Sequence, residues 1–536
     1  MMSVLLKEID TAGIEITPDL LSRIAIAHCH TGDSKQARGI LEQVVHHQRD
    51  MTSQVGFEAL ETLVERSTTA EELSSAVQLV QFLIDNRGPP SPLAIDRYTA
   101  LAKLGRVVLK KEGHLRVGLG VPQEYWKSLV SDVTGSSFQP SLKCYTSILA
   151  LQVQLSLGKA EKQQRKESLR TLSEAEELLS KMRYDGISPD SYVYNILLNG
   201  FASLRFVDLK FEERLNRALK VLESMKTADV RPNTRSYTSL FNACLPVREW
   251  VTQVDMRVVQ LEEEMRASGL THDAVSAGTF IRVLGSGRLF QEMYQAFYRF
   301  RDEPIRDISL YNSLLHSSKE HPAQASRALN IYFDDSKKFP QIKPDFLTLR
   351  WLLGCCVTSK RSRLASWIVS TYAREVHIAV DSALLNSLLA VHLVCDEVAE
   401  ATQLISHGFA SHGVKPGQDT VKIVLSHYLQ KQQDFAGANE VLVLLKKAGA
   451  DIETPLVIDL IVRAHLLSGN TDTMMELLQD PMCDKETYRG VVQLLRGTKK
   501  MDDHRTAKKI FELMETISDD RGWTNARWFQ ALKASL

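Results

Sequence analysis

The chain has 536 residues, 44% hydrophobic and 7% aromatic, and its 65 Lys and Arg balance 65 Asp and Glu. This neutral balance excludes a bulk field that attracts polyanions, so any nucleic-acid site has to rest on local basic patches. Seven cysteines, with no CxxC pair and no secretory signal, favour free thiols in a reducing compartment. No stretch approaches the ~20 consecutive apolar residues of a membrane span.

Residues 1–19 have the pattern of the second half of a helical hairpin: an amphipathic helix, a glycine turn and then Thr17-Pro18-Asp19. They lack the Arg-rich and Ser-rich character of an organelle transit peptide. We therefore expect the chain to begin within a repeat, as the remainder of a longer precursor that carried its targeting segment and earlier repeats.

Farther along, a self-similar unit recurs loosely about every 34 to 49 residues. In its clearest copies, residues 188–200 and 231–243, a proline precedes Asp190 or Asn233 and an apolar helix follows. Proline suits an extended entry, and Asp or Asn caps the coming helix. A second helix then follows, with the small Ala218 where the two helices cross. Because such a unit is too small to bury its apolar face alone, the period predicts an all-α solenoid of stacked antiparallel hairpins.

The residue that closes each linker can be followed down the chain, with room for two units between the first two positions: Asp19, Leu93, Ser141, Asp190, Asn233, Asp273, Asp307, Asp345, Asp381, Asp419, about Glu453, and Asp484. Long units carry charged insertions at 158–171 and 203–214, which we expect to be helix extensions or solvated loops. Residues 105–139 are the least periodic, with five glycines, and predict a kink or a loop.

The Pro-Asp or Pro-Asn linkers, the Tyr-Asn or Tyr-Thr that follows, and the Glu-Met…Gly ending at residues 263–270 resemble the pentatricopeptide repeat family. The likeness is strongest over 142–345, moderate over 346–453, and faint at 17–42 and beyond 454. The tetratricopeptide repeat is disfavoured because its Trp-x-x-Leu-Gly-x-x-Tyr signature is missing. The resemblance implies a right-handed α-solenoid superhelix that binds single-stranded RNA, chiefly in organelles, with one nucleotide per repeat.

The resemblance also divides the chain into four regions. We expect degenerate N-terminal helical repeats over 1–140 and the best-matching repeats, with charged insertions, over 141–345. Divergent repeats are expected over 346–500 and C-terminal capping helices over 501–536.

In this family, the residue after the first-helix tyrosine and the residue that closes the linker read one base together. Carried over to this chain, the resemblance predicts five RNA-binding pairs: Thr146 with Asp190, Asn195 with Asn233, Thr238 with Asp273, Asn312 with Asp345, and Asn386 with Asp419. The family's preferences suggest G for the Thr–Asp pairs, a pyrimidine for Asn–Asn and U for Asn–Asp. Gly417-Gln418 complicate the register of the last pair. Other repeats depart from the pattern at the corresponding positions: Gly278, Arg350, Val424, Ile458 and Arg489.

Each of these residues also has an ordinary structural explanation. The linker Asp and Asn residues are good helix caps without any ligand, and Thr146 and Thr238 are unexceptional on a helix surface. Asn195 and Asn312, by contrast, lie too deep in their helices to cap well. The first-helix tyrosines fit core packing better than base stacking: Tyr145, Tyr194, Tyr237 and Tyr311. The basic residues of these repeats contact phosphates or are simply solvated: Lys181, Arg183, Lys220, Lys226, Arg231, Arg235 and Lys343.

We find no catalytic signature in the sequence. The His-x-Glu and Pro-Cys-x-x-Cys of a zinc deaminase are missing, and the aspartates near the C-terminus lack the strand pattern of a nuclease domain. His28, Cys29 and His30 diverge by ~100° per residue on a helix, so they do not easily share one metal ion. We therefore expect neither enzyme activity nor a metal or other cofactor.

The leading interpretation is a sequence-selective RNA-binding adaptor in mitochondrial RNA stability, processing or translation. Its expected partners are a single-stranded organellar transcript and possibly other proteins. The alternative is a non-catalytic protein-interaction scaffold in a mitochondrial ribosome or assembly complex; a more remote one is a processing enzyme whose catalytic part lies outside this chain. A basic groove along the first helices favours RNA binding, whereas an apolar or acidic groove favours the scaffold.

Overall fold

A computed structural model gives the structure of residues 17–47, 54–86, 94–115, 123–135, 140–161, 165–204, 211–245, 257–303, 307–428, 435–450 and 454–468, with 476–478 and 487. All regular secondary structure in these ranges is helical, and the all-α solenoid prediction is confirmed. The predicted capping helices at 501–536 lie outside the described residues, as do Leu93, Glu453 and Asp484. None of the described helices has both the length and the apolar character needed to span a membrane.

The chain divides into two compact units, Met1–Ile305 and Arg306–Leu536. The described part of the first unit consists of fourteen helices that form seven hairpins: α1 Pro18–Thr31, α2 Ser34–His47, α3 Gln54–Arg66, α4 Ala70–Asp85, α5 Ile95–Leu115, α6 Gln123–Gly135, α7 Leu142–Glu161, α8 Arg165–Tyr184, α9 Ser191–Ala202, α10 Phe211–Thr227, α11 Thr234–Cys244, α12 Arg257–Ala267, α13 Ala274–Ser286 and α14 Phe290–Asp302. The first helix of each hairpin contacts the first helix of the next, so the odd-numbered helices form one row. Two hairpins, α1/α2 and α3/α4, occupy the 74-residue gap between the first two linker positions, as predicted.

The described part of the second unit repeats this arrangement, with helices α15 Ile308–Ser318, α16 Pro322–Lys338, α17 Phe346–Ser359, α18 Ser362–Trp367, α19 Ala373–Glu375, α20 Ser382–Val394, α21 Val398–Gln403, α22 Phe409–Ser411, α23 Gln418–Leu425, α24 Phe435–Lys447 and α25 Pro455–Ser468. A π-helical turn, Ile368–Tyr372, connects α18 to α19, and another, Leu404–Gly408, connects α21 to α22. Here the row of first helices is α15, α17, α20, α23 and α25. The four-region division at 140, 345 and 500 stays a prediction beside this two-unit division.

The linkers place most caps where the sequence predicts them. The side chain of each of six closing residues accepts a hydrogen bond from a backbone N–H in the first turn of its helix: Asp190, Asn233, Asp273, Asp307, Asp345 and Asp381. Two assignments require correction. Thr17, not Asp19, caps α1, because Pro18 takes the first helical position. Gly417, not Asp419, is the N-cap of α23, so both aspartates lie at the second position of their helices.

The charged insertions are helix extensions in their described parts, but two of their cations are buried and not solvated. In 158–171, Lys159 is 1% exposed and its Nζ donates to Thr171 Oγ1 at 2.7 Å. Burial lowers the pKa of this lysine, and the charge of Lys127 lowers it further. In 203–214, Arg214 is also 1% exposed and holds backbone carbonyls at the ends of two first helices.

Residues 105–139 show no kink in their described part, because α5 runs unbroken to Leu115 and α6 follows it. Gly105 permits close packing: a Cβ at this position would lie 2.7 Å from Cζ3 of Trp126. Gly105 therefore allows α5 and α6 to pack closely, and it does not form a turn. Residues 116–122 and 136–139 lie outside the described residues.

The first-helix tyrosines lie in the core, as predicted: Tyr145, Tyr194, Tyr237 and Tyr311 are at most 1% exposed. Their hydroxyls reach the second helix of the same hairpin or the turn that ends it. Tyr237 donates to Glu264 Oε1 at 2.9 Å, and Tyr311 donates to Asp335 Oδ2 at 3.1 Å. The tyrosines therefore join the two helices of a hairpin and are unavailable for base stacking.

Candidate nucleic-acid interface

The row of first helices in the first unit carries two adjoining cavities, of about 720 and 500 Å³. They share Glu61 of α3, Arg106 of α5, Ala150 of α7 and Tyr192 of α9. We call the two cavities together the N-terminal groove. With Arg235 of α11, which lines the larger cavity, side chains from five consecutive hairpins border one open depression.

Six cations and three carboxylates line the N-terminal groove: Lys103, Arg106, Lys110, Lys111, Lys143 and Arg235, with Glu61, Glu65 and Asp190. Burial raises the pKa of Glu61, the charge of Glu65 raises it further, and Lys103 and Arg106 oppose that shift. Lys111 donates from Nζ to the backbone carbonyl of Glu65 at 2.7 Å. The neutral chain therefore concentrates positive charge locally.

Sequence analysis missed most of these cations, because it searched for basic residues in the best-matching repeats. Four of them lie on α5, and three of these four fall within the least periodic region, 105–139. Their spacing was readable: Lys103, Arg106, Lys110 and Lys111 stand three, four and one residues apart, which places them on one helical face.

Two predicted site residues, Thr146 and Asp190, line the smaller cavity of the groove. The Thr146 hydroxyl donates to the carbonyl of Leu142 at 2.6 Å, and Asp190 Oδ1 accepts from the N–H of Val193 at 2.9 Å. Both bonds are local to their own helices, and no hydrogen bond is found between the two side chains. Both oxygens keep acceptor capacity toward the cavity.

Asn195 and Asn233 are brought together directly. Asn195, which lines the larger cavity and is 5% exposed, donates from Nδ2 to Asn233 Oδ1 at 3.2 Å. Its own Oδ1 accepts from the Ser236 hydroxyl at 2.7 Å. Because Asn233 Oδ1 also accepts from the backbone N–H of Ser236 at 3.1 Å, the amide orientation is fixed and the Asn233 Nδ2 donors point away from the cap.

In the second unit, Asn312 and Asp345 also form a bonded pair. Asn312 Nδ2 donates to Oδ1 and Oδ2 of Asp345 at 3.1 and 3.3 Å. Asp345 Oδ1 already accepts from the backbone and hydroxyl of Thr348, at 2.7 and 2.8 Å. Asp345 and Asn233 thus both use Oδ1 for the cap. The second terminal atom of the side chain is the acceptor Oδ2 in Asp345 and the donor Nδ2 in Asn233.

The remaining pairs differ from these two. Asn386 is 8% exposed and accepts from the Thr420 hydroxyl at 2.7 Å. Its predicted partner Asp419 is not at the cap, where Gly417 offers no side chain. Asn386 therefore has no carboxylate partner of the predicted kind, and a role for Asp419 in binding stays a prediction.

Thr238 and Asp273 repeat the local pattern of Thr146 and Asp190. The Thr238 hydroxyl donates to the carbonyl of Thr234 at 2.8 Å, and Asp273 Oδ1 accepts from the Ser276 N–H at 2.7 Å. No bond between the two side chains is found in the described part of the chain. The structure thus joins the Asn pairs directly and leaves the Thr–Asp pairs unjoined.

Part of the chain matches a known protein family. Residues 177–245, which run from α8 through α11, match the family model for the pentatricopeptide repeat domain. This segment of the chain is therefore similar to pentatricopeptide repeats. A pentatricopeptide repeat-containing protein of Arabidopsis thaliana, At1g76280, is 27% identical over 212 residues, which are 37% of this chain and 26% of that protein. The chain thus matches about a quarter of the length of this curated relative.

One solved structure supports the solenoid fold. The maize pentatricopeptide repeat protein PPR10 superposes with a TM-score of 0.52 at 16% identity, over 99% of this chain and 70% of PPR10. A structure of PPR10 in complex with an 18-nt psaJ RNA element matches with a TM-score of 0.47 at 14% identity, over 97% of this chain and 78% of PPR10.

Besides the predicted site residues, these helical hairpins share a set of buried hydroxyls three residues after the cap. They are 0% exposed and contact the cap or the paired asparagine: Ser236, Ser276, Thr348 and Thr420. The signal was a recurring capping-box spacing, Asn or Asp (once Gly) followed three residues later by Ser or Thr. These hydroxyls fix which atoms of each pair face outward.

Another recurring feature is an exposed side chain two residues after the cap. Tyr192 is 46% exposed, Val275 68% and Leu347 47%, although all three are apolar or aromatic. Tyr192 lines both cavities beside Asn195. Apolar surface of this kind, present in every second repeat from Asp190 to Asp345, suits contacts with the faces of bases.

No metal site accompanies these features. In the described ranges, no three His, Cys, Asp or Glu side chains lie close enough to hold a metal ion. Cys29, between the two histidines singled out above, is buried in α1, and this burial raises the pKa of its thiol.

Proposed function

We propose that this protein is an adaptor that binds single-stranded RNA along its first helices and selects the sequence through the paired side chains. The observation that carries the proposal is the N-terminal groove, where Thr146, Asp190 and Asn195 share one depression with six cations. Cations neutralise phosphates, and the buried polar side chains meet unpaired base edges. A cationic lining favours RNA over the scaffold alternative, for which an apolar or acidic groove is expected.

The two Asn-containing pairs offer opposite groups to a base. At Asn233 the outward group is the Nδ2 donor, which complements N3 of cytosine, an acceptor. At Asp345 the outward group is an acceptor, Oδ2, which complements the N3–H of uracil. Hydrogen-bonding chemistry therefore supports a pyrimidine at both pairs and U at the second.

The process is mitochondrial RNA stability, processing or translation, and the partner is an organellar transcript, with further proteins as possible partners. This part of the proposal rests on the family resemblance. Crosslinking the protein in cells and sequencing the attached RNA identifies the transcript and its compartment. The recovery of cytosolic RNA alone would contradict the mitochondrial assignment.

The test of sequence selection is the substitution Asn233→Asp. It keeps the cap, since Asp and Asn cap equally well, but replaces an outward donor by an acceptor. Selection from a random RNA pool should enrich a pyrimidine at this position with the wild type and U with the variant. We expect a discrimination of about 1–3 kcal/mol, by analogy with bidentate base contacts.

The matched control is Asp307→Asn, which makes the reverse exchange of an oxygen for a nitrogen. Asp307 is a helix cap that belongs to none of the predicted pairs. This substitution should leave the selected sequence unchanged. Identical profiles for Asn233→Asp and wild type would refute base reading by this pair. A wild type that binds no RNA from the pool would leave the scaffold as the remaining interpretation.

A further inference from the structure

The repeat that begins at Asp345 breaks the paired pattern but contains an unusual cluster of aromatic and cationic side chains. The imidazole of His316, on α15, meets the indole of Trp351, on α17, edge to face with ring centroids 4.5 Å apart. The Nζ of Lys319 lies 5.0 Å from the Trp351 ring centroid, and the guanidinium carbon of Arg350 lies 5.6 Å from it. We call these four residues the Trp351 cluster.

The cluster shares its helical face with the residues already assigned to RNA. His316 stands four residues after Asn312 on α15, and Trp351 stands four residues after the exposed Leu347 on α17. Residues four apart are neighbours on one side of a helix. The Trp351 cluster therefore lies one helical turn from the Asn312–Asp345 pair, on the row of first helices in the second unit.

The cluster is accessible and cationic. Arg350 is exposed, while Trp351 and His316 are partly exposed. The side chain of Lys319 is 20% exposed, and its Nζ has the Glu320 carboxylate 3.6 Å away. A flat aromatic ring thus stands beside two permanent positive charges, of which only the lysine has a carboxylate within ion-pair distance.

This combination suits a nucleotide whose base is held by stacking and whose phosphate is held by charge. Every base has a π-face, so stacking on tryptophan tolerates any sequence, and cations beside the ring hold the backbone. Arg350 also occupies the position where Asn195 and Asn312 stand in their repeats, and it places a positive charge beside the indole where those repeats have an amide. A base that stacks on the indole displaces Lys319 or Arg350 from the ring. The displaced cation can then contact the phosphate of the same nucleotide.

We propose that the Trp351 cluster binds one nucleotide of the RNA strand without regard to its base identity, next to the position read by Asn312 and Asp345. The inference rests on the proposed function. It assigns to a repeat outside the paired pattern a role in affinity instead of selectivity.

The test uses the full chain and the RNA enriched from a random pool by the wild type. Each nucleotide of this RNA is replaced in turn by an abasic site and by the other three bases. We expect one position, next to the U of the Asn312–Asp345 pair, at which loss of the base weakens binding about tenfold while its identity changes binding less than twofold. In Trp351→Ala, the intact RNA should bind about tenfold more weakly, and the abasic penalty at this position should vanish.

Two further variants separate stacking from a structural role. Trp351→Phe keeps an aromatic ring, so affinity should stay within about threefold of wild type while RNA loses its quenching of Trp351 fluorescence. Trp367→Ala is the matched control, because Trp367 is 37% exposed and stacks on Tyr372, both on the second-helix side of a hairpin. It should change neither the affinity nor the abasic profile.

The outcomes distinguish the inference from the proposed function. If Trp351→Ala binds RNA as wild type does, or if its abasic penalty persists, the inference is overturned while RNA binding stands. Equal losses in Trp351→Ala and Trp367→Ala would show general destabilisation and would also overturn it. If the wild type binds no RNA but retains an acidic protein partner that Arg350→Gln releases, both proposals fail.

Discussion

An asparagine side chain has a donor end and an acceptor end, and its neighbours decide which end is left free for a ligand. In the first unit, the backbone N–H of Ser236 requires an oxygen, so Asn233 turns its Oδ1 inward and its Nδ2 outward. In the second unit, Asp345 has no donor, so an acceptor faces outward instead. Under the proposed function, this single nitrogen-to-oxygen difference between two repeats should change which base edge fits.

Ser236→Ala tests this network. The hydroxyl is buried, donates to Asn195 Oδ1 and accepts from the Asn233 N–H at 3.1 Å. Its removal leaves two groups unsatisfied, which should lower the free energy of unfolding by about 1–3 kcal/mol. Urea denaturation followed by circular dichroism measures the change.

The control for this substitution is Ser239→Ala on the same helix. Ser239 is 5% exposed, but its hydroxyl donates only to the carbonyl of Arg235, within α11. Because alanine also has a higher helix propensity than serine, we expect a change of about 0.5 kcal/mol or less. Equal losses for the two serines would show that the contact with Asn195 contributes nothing.

At the scale of an element, the ends of the first helices in the first unit are held by a buried arginine. Arg214 on α10 donates from Nε to the carbonyl of Ala243 at 2.9 Å and from Nη1 to that of Leu204 at 3.0 Å, and its Nη2 contacts the carbonyl of Leu245. The last carbonyls of a helix have no partner within it. One guanidinium therefore closes α9 and α11 together and fixes the spacing of two hairpins.

Arg214→Ala should lower the free energy of unfolding by at least about 3 kcal/mol, since three buried carbonyls lose a charged donor. Arg214→Lys should recover only part of this, because an ammonium does not reproduce the planar fork of a guanidinium. Thermal and urea denaturation measure both. Arg217→Ala, which breaks only the half-exposed pair with Glu213, should cost about 0.5 kcal/mol or less; a similar loss there would argue against a special role for Arg214.

For the whole molecule, zero net charge means that association with RNA depends on where the charges lie. The described residues concentrate cations in the N-terminal groove, mostly on α5, while the chain as a whole is balanced. Long-range attraction should therefore be weak, and the salt dependence of binding should come from a few local contacts.

Arg106→Gln with Lys110→Gln tests this distribution. The slope of log K against log salt is negative, and each lost contact with a phosphate of single-stranded RNA makes it less steep by about 0.7. The slope of the double variant should therefore be less steep than that of wild type by about 1.4. Fluorescence anisotropy at several salt concentrations measures the slope. Lys337→Gln with Lys338→Gln, two exposed lysines at the end of α16, removes the same charge and should leave the slope unchanged. A slope that depends only on total charge would contradict the proposed path of the strand.

Much of the fold could be predicted because its signals are local. The repeat period, the proline before the cap and the capping residues act within a few residues, and they located the hairpins and six caps correctly. The two misplaced caps, Asp19 and Asp419, followed from the preference for an acidic residue where threonine or glycine stands at the boundary. The prediction that the charged insertions are solvated was wrong for Lys159 and Arg214, because a run of charges does not reveal which of its members form hydrogen bonds with buried groups.

The sequence by itself determined the repeat, the caps and the members of the candidate pairs, because each depends on short-range spacing along the chain. Only the tertiary structure decided which pairs touch, which atom of each faces outward and where the cations gather. Those properties depend on how first helices about forty residues apart pack side by side. Helix packing brings Asn195 to Asn233 and α5 to the N-terminal groove, and no local pattern contains that information.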